Sequence, residues 1–306
     1  MFMNKDILVD RITAVAGAIL AGRNKFFARS VRSGSFADYI SDISMDAPAI
    51  EEGVFQLAAS TPEGALDASY FIKQLRGREY PTVIYHHGSA ENPFDLRRFA
   101  KNTFKSIFLD AGGSPEANLI ALRAPFHGDT LRSYKSRMCY LSNFVVMISV
   151  SVVLAEKLIA ALRRRDFGPV AVSGISLGGW VSNLHRVYFN SADIYLPLLA
   201  GAALGELFLT SCYRRLTGKP ARENPDLVRK LLNFEEDYIA VEDDNVFPLM
   251  ARYDQFIEYP RQKVCYGERE VNVLEKGHVT ASLAAGTLRG HIISGIRKFG
   301  GLRKNI

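Results

Sequence analysis

Five short apolar runs, each followed by a stretch long enough for a helix or a wide loop, constrain this chain more than any other feature. They are Pro81–Tyr85, Asn118–Leu122, Pro169–Ser173, Tyr195–Leu199 and Val246–Met250. Runs that are apolar along their whole length, without alternation, suit parallel strands covered on both faces. Strands that alternate with helices argue for one α/β domain with a mostly parallel sheet. Pro197 and Pro248 weaken the last two runs as strands, because proline cannot donate to a ladder. Upstream, Val54–Leu57 and Tyr70–Leu75 flank the turn formers Ser60-Thr-Pro-Glu-Gly64, the pattern of an antiparallel hairpin.

Residues 1–48 read as an N-terminal helical extension and residues 49–306 as the main domain. Within the latter, about 203–244 interrupts the strand rhythm. Leu204–Leu216 and Asp226–Phe234 read as two amphipathic helices around Gly218-Lys219-Pro220. Such an insertion between two strands is expected to form a small lid.

Two apolar stretches fall short of the ~20 residues that cross a bilayer. Ile12–Ala21 is bracketed by Asp10, Arg11 and Arg23 and shows no clear signal-peptide pattern. It is expected to be a helix packed on the body, with a membrane-surface anchor as the alternative. Phe144–Ala155 reads as a buried helix of a large core.

The charge balance supports only limited conclusions. There are 38 Lys+Arg against 32 Asp+Glu, a net charge of +6, and the excess is scattered. One basic run, Arg163-Arg164-Arg165, follows a helical stretch, where cations suit the negative end of the dipole. This argues against a nucleic-acid surface. The three cysteines, Cys139, Cys212 and Cys265, lie far apart and form no CxxC. Neither a disulfide framework nor a zinc knuckle is expected, and a reducing compartment is favoured. The lack of a clean signal segment favours a cytoplasmic setting, with peripheral membrane contact through residues 5–29 as the alternative.

The chemistry is concentrated in Gly174-Ile175-Ser176-Leu177-Gly178. A Ser on a tight strand-to-helix turn has a strained backbone, and residues two positions away on either side crowd each other. Glycine at both places relieves the clash and leaves the hydroxyl exposed. Alone the pattern is weak. Here a β run, Val170–Val172, precedes it, and helical spacing over Gly179–Tyr188 follows, with Trp180 and Tyr188 read as core residues.

With these elements in this order, residues 50 to 300 resemble the α/β-hydrolase superfamily. The resemblance implies a mostly parallel eight-stranded sheet with helices on both faces and a small helical lid. It also implies a nucleophile, an acid and a His in that chain order. A hydroxyl needs a base within hydrogen-bond reach, and the base needs an orienting carboxylate. Of the six His, His86, His87 and His127 precede Ser176, His185 follows it too closely, and His291 falls inside the last helical pattern. His278, in Glu275-Lys-Gly-His-Val-Thr280, is the expected base. Asp254, after the Val246–Met250 run, is the expected acid; Asp243, Asp244 and Glu258 are weaker choices. Asp254 also suits a helix cap before Gln255.

The resemblance further implies an oxyanion hole of backbone N–H groups from Leu177 and from Ser89 in the His87-Gly88-Ser89 loop, with Ala90 as the alternative donor. His87, Gly88, Ala90 and His127 are expected to line the substrate site, His87 by bracing its loop. His86 and His87, as neighbours on a strand, should point to opposite faces, which speaks against a metal pair. The implied activity is hydrolysis of a carboxylic ester through a Ser-His-Asp triad and an acyl-enzyme, with no cofactor or metal. The alternatives are a peptidase or amidase, an acyltransferase, or a non-catalytic binding protein on the same fold.

Overall fold

The computed structural model describes residues 4–113, 115–128 and 130–303. Eight strands form one sheet: β1 (Gly53–Ala59), β2 (Leu66–Gln74), β3 (Thr82–His86), β4 (Asn118–Arg123), β5 (Val170–Ile175), β6 (Ile194–Leu198), β7 (Leu249–Ala251) and β8 (Asn272–Leu274). Their order is β1-β2-β4-β3-β5-β6-β7-β8. β2 runs antiparallel to β1 and β4, and the pairings from β4 to β8 are parallel. The mostly parallel eight-stranded sheet read from the sequence is therefore present, with the expected hairpin at its first edge.

Both faces of the central strands are covered, as their unbroken apolar runs require. Ile84, Ile120, Leu122 and Val172 face one core, and Val83, Tyr85, Leu119, Ala121 and Ala171 face the other. The helix Leu141–Arg163 fills the first core. Among the described residues it is the one helix long and apolar enough to cross a membrane, yet 83% of its most apolar window is buried inside the protein. Its Ser151 bonds to the buried imidazole of His86 at 3.1 Å, which accounts for a polar residue in this apolar helix. At its end Arg163 pairs with Asp193, and Arg165 donates to the carbonyl of Ile50, so the basic run is partly committed to the fold.

The two strand prolines lie on different sides of β7. The N–H groups of Tyr195 and Leu199 donate to Asn245 and Leu249 on the β7 side. Pro197 is in phase with them and has no N–H to give, while Pro248 faces the other side, its carbonyl accepting from the Asn272 N–H of β8. β6 and β7 accordingly pair at one position, Leu198 with Leu249. The last apolar run thus yields a strand three residues long, later and shorter than its sequence suggests.

The insertion after β6 differs from the two helices expected. It forms helical segments at Leu204–Leu209, Cys212–Leu216, Lys219–Glu223, Pro225–Leu232 and Glu235–Ala240. Ser211 breaks the first expected helix. Its hydroxyl donates to the Leu207 carbonyl at 2.7 Å and accepts from the Tyr213 N–H at 3.0 Å, competing with helical bonds.

The N-terminal segment packs against this insertion. The Phe26 N–H donates to Leu216 O, and the Gly218 N–H donates to Phe26 O. Gly218 is needed there, because a Cβ would lie 2.3 Å from Ala28 Cα. Rings of Phe26, Phe27, Phe144, Phe208 and Tyr213 pack edge to face or tilted, joining extension, core helix and insertion in one cluster.

Candidate active site

Ser176 follows β5 and precedes the helix Leu177–Tyr188, with φ 53° and ψ −108°. A non-glycine residue in this region stores ~1–3 kcal/mol of strain, which the surroundings must hold in place. The Ser176 N–H donates to Leu198 O at 2.8 Å, and its own carbonyl accepts the first helical bond from Trp180. The flanking glycines are dictated by close backbone approach. A Cβ at Gly174 would lie 2.4 Å from Gly178 O, and one at Gly178 would lie 2.1 Å from His86 O. Ser176 is partly exposed.

Ser176, His278 and Asp254 converge. The Ser176 hydroxyl lies 3.1 Å from His278 Nε2, and His278 Nδ1 lies 2.6 Å from Asp254 Oδ2. A carboxylate accepts, so the imidazole proton sits on Nδ1 and leaves Nε2 free to accept from the hydroxyl. The other carboxylate oxygen of Asp254 accepts the N–H groups of Phe256 and Ile257, at 2.8 and 2.7 Å. Asp254 therefore caps its own turn with one oxygen and faces the imidazole with the other, although no helix begins at Gln255. His278 opens the short helix His278–Ser282 directly, so it is a helical residue and not a loop one.

Sequence reasoning missed Asp10. This residue of the helix Lys5–Ala21 is fully buried and accepts three main-chain N–H groups: Gln255 at 3.0 Å, His278 at 2.8 Å and Val279 at 2.9 Å. It thereby ties the loop of Asp254 to the helix of His278. Beside it, Asp6 accepts from the Thr280 hydroxyl at 2.5 Å. Gly277 is required at this junction, since a Cβ would lie 2.8 Å from Asp6 O. The available signal was the pair Asp6 and Asp10, four apart and so on one face of a helix.

Burial works against charge on His278, but Asp254 and then Asp10 outweigh it and raise the imidazole above its ordinary 6.5. Burial pushes the Asp254 carboxyl upward, against the pull of His278 and of the Ile257 N–H.

The loop after β3 passes close to the elbow: a Cβ at Gly88 would lie 3.5 Å from Ile175 Cγ2 and 2.8 Å from Glu91 Oε1. Glu91 is buried and holds the Thr103 N–H and hydroxyl, a second brace the sequence did not reveal. His87 is completely buried. Its Nε2 accepts from the Ala124 N–H at 3.0 Å, so its Nδ1 carries the proton and donates to Gly88 O at 2.6 Å. Burial holds it well below 6.5, in the neutral form this bonding needs. His87 thus braces the loop and presents no ring nitrogen to a ligand.

Ser89 is partly exposed, its hydroxyl 3.0 Å from Tyr134 and its carbonyl accepting from Lys101 at 3.3 Å. Ala90 is exposed and turns the chain with φ 58°. Leu177 opens its helix, where the first N–H groups have no intrahelical acceptor and the dipole is positive. His127 packs its ring on His87 and Tyr134, and burial lowers it to about 4.

The His86 and His87 rings do not point to opposite faces. They stack, with centroids 4.7 Å apart, because β3 ends at His86 and its alternation ends with it. His86 is itself occupied by Ser151 and the His87 carbonyl. No group of three or more metal-ligating side chains occurs among the described residues. The remaining candidates lie elsewhere. His185 bonds to Tyr195 and lies 3.3 Å from Glu156, His291 bonds to Phe247 O, Asp243 to Asn190, and Asp244 lies 3.8 Å from Arg269.

Residues 116–217 match the family described as alpha/beta hydrolase domain containing 18. Among solved structures, the chain is similar to Est1E from Butyrivibrio proteoclasticus, with a TM-score of 0.50 and 13% identity over 76% of this chain and 95% of that one. It is also similar to the acylaminoacyl peptidase of Pyrococcus horikoshii, with a TM-score of 0.50 and 11% identity over 81% of this chain and 40% of that one. The chain thus spans well under half the length of that peptidase. At these identities the likeness is one of fold. No curated protein matches the sequence.

Proposed function

We propose that this chain, which belongs to the α/β-hydrolase superfamily, is a serine hydrolase that cleaves carboxylic esters. One observation carries the reading: the hydroxyl of a partly exposed Ser176 on a strained turn, 3.1 Å from an imidazole whose other nitrogen faces a buried carboxylate.

Ser176 Oγ attacks the ester carbonyl carbon as His278 Nε2 takes its proton. The negative oxygen that forms accepts the N–H groups of Leu177 and Ser89, which act at the positive end of a helix and on a braced loop. Collapse breaks the bond to the alkoxy group, which leaves as alcohol with the proton from His278. Water then gives a proton to the same nitrogen and attacks the acyl carbon, and release of the acid returns Ser176 to its starting form. Ester and water alone balance these steps. Asp254 stays ionised and supports the imidazolium in each half.

An apolar acyl or aromatic group suits the surroundings of the base. The Phe256 ring lies 5.1 Å from His278, and Tyr213 of the insertion packs on Phe256 at 5.3 Å. The insertion thereby reaches the base through two ring contacts, which supports its role as a lid. A cytoplasmic setting agrees with the buried apolar helix and with the three free cysteines.

A fluorophosphonate probe tests the proposal. Wild-type protein should be labelled and Ser176→Ala should not. A wild type that resists the probe, or a Ser176→Ala variant labelled equally, overturns it. A series of p-nitrophenyl esters of increasing chain length then reads the acyl preference.

A further inference from the structure

The helix Lys5–Ala21 has its polarity inverted. The face turned to the protein carries Asp6, Asp10 and Ala14, all buried. The opposite face carries Leu8, Ile12, Val15 and Ile19, which are 40, 57, 41 and 75% exposed, with Leu20 beside them at 73%. At 100° per residue those four aliphatic side chains fall within about 60° of arc. The catalytic loops account for the buried carboxylates. Among the described residues, none covers the aliphatic row.

Cations surround that row. Lys5 and Arg11 lie on the helix, and Arg23 and Lys25 lie just past its end. A groove of about 870 Å³ runs beside the junction of the helix and the insertion, lined by Arg11, Lys25, Arg214, Arg215 and Arg222, with Glu258 as the carboxylate among its described lining residues. An apolar ridge flanked by positive charge matches a surface that offers both hydrocarbon and negative headgroups. A second copy of this chain would set cations against cations.

We propose that this helix is an interfacial docking element that lays its Leu8–Ile12–Val15–Ile19 ridge into an anionic lipid surface, with the groove's arginines against the headgroups. The helix lies in the plane of the interface and does not cross it; at 17 residues, with Asp6 and Asp10 on its inner face, it is unsuited to spanning. Because Asp10 sits on the same helix, the docked face is continuous with the elements that hold His278 and Asp254.

Sedimentation of the full chain with phosphatidylcholine vesicles, with and without phosphatidylglycerol, tests this. Wild-type protein should bind the anionic vesicles and release in high salt, and should bind the neutral vesicles far less. The double variant Ile12→Ser/Ile19→Ser should bind the anionic vesicles about tenfold more weakly or less. Arg214→Glu/Arg215→Glu should weaken binding and flatten its salt dependence. Both variants should melt like wild type and hydrolyse a water-soluble ester at the same rate, because every altered side chain is exposed and none touches the triad. Ser176→Ala should sediment like wild type, which separates this proposal from the hydrolase reading. The proposal is overturned by a wild type that ignores anionic vesicles, by a serine double variant that binds as well as wild type, or by a wild-type dimer that the same variant converts to monomer.

Discussion

The main-chain N–H of His278 donates to the carboxylate of Asp10 at 2.8 Å, joining residues 268 positions apart. His278 is the first residue of a helix, where the dipole opposes positive charge on its side chain. Asp10 sits at that end and also takes the N–H of Val279. It fills the orphan donors of the first turn and offsets the dipole with a full negative charge. The proposed mechanism puts a proton on this imidazole in mid-reaction, and both effects favour that state.

Asp10→Asn tests that account. An amide must turn at least one donor toward the three N–H groups, which costs ~1–3 kcal/mol. Turnover of a soluble ester should fall about 10- to 100-fold with KM nearly unchanged. The charge that favours the imidazolium is removed, so the acid limb of the rate profile should move to lower pH. Loss of rate with an unmoved limb would reduce Asp10 to a structural brace.

The pH dependence of the wild type has a definite sign. The raised His278 value means the folded protein holds this proton more tightly than the unfolded chain does. Its stabilisation is full below about 6.5 and disappears as pH rises through the higher folded value. Catalysis runs the other way, because the base must be neutral. kcat/KM should therefore climb with pH through a midpoint above 6.5. A midpoint below 6.5 in the pH–rate profile would contradict the role given to His278.

Asp254→Asn should be more severe. The amide can still cap the Phe256 and Ile257 N–H groups through its oxygen, so the fold should persist by circular dichroism. It then presents N–H₂ to Nδ1, which selects the wrong tautomer and removes the acceptor at Nε2. Turnover should drop by about 10⁴. Activity that survives here and dies in Asp244→Asn would reassign the acid.

Gly178→Ala tests the elbow without touching a reacting atom. The new methyl would lie 2.1 Å from the His86 carbonyl, against backbone on a central strand. Urea denaturation should show a loss of ~3 kcal/mol, with poor soluble yield. A stability equal to wild type would mean that the turn relaxes readily and is not held under strain.

Much of this was legible in the sequence because it depends on local rules. The elbow announces itself by two glycines, and the parallel strands by unbroken apolar runs. Chain order pointed to His278 and Asp254, and the structure sets them side by side. Asp10 was not legible, because its partners lie more than 240 residues away and a carboxylate on a helix ordinarily faces water. The same helix misleads twice, since its aliphatic row has the spacing of a core face and is exposed. The insertion's breaks were also hidden, because they turn on whether the Ser211 hydroxyl bonds to the backbone or to solvent. The stacking of His86 on His87 depended on where a strand ends, which alternation cannot foresee.

The clasp between Asp10 and the last helices has a consequence for biosynthesis. The first helix emerges from the ribosome early, yet its acceptor waits until residues 255, 278 and 279 have cleared the exit tunnel. Contacts that close so long a loop form late. A chain that had not yet folded residues 255–279 against Asp10 would present the elbow with no imidazole beside Ser176, so the proposed nucleophile gains its base only when that clasp closes.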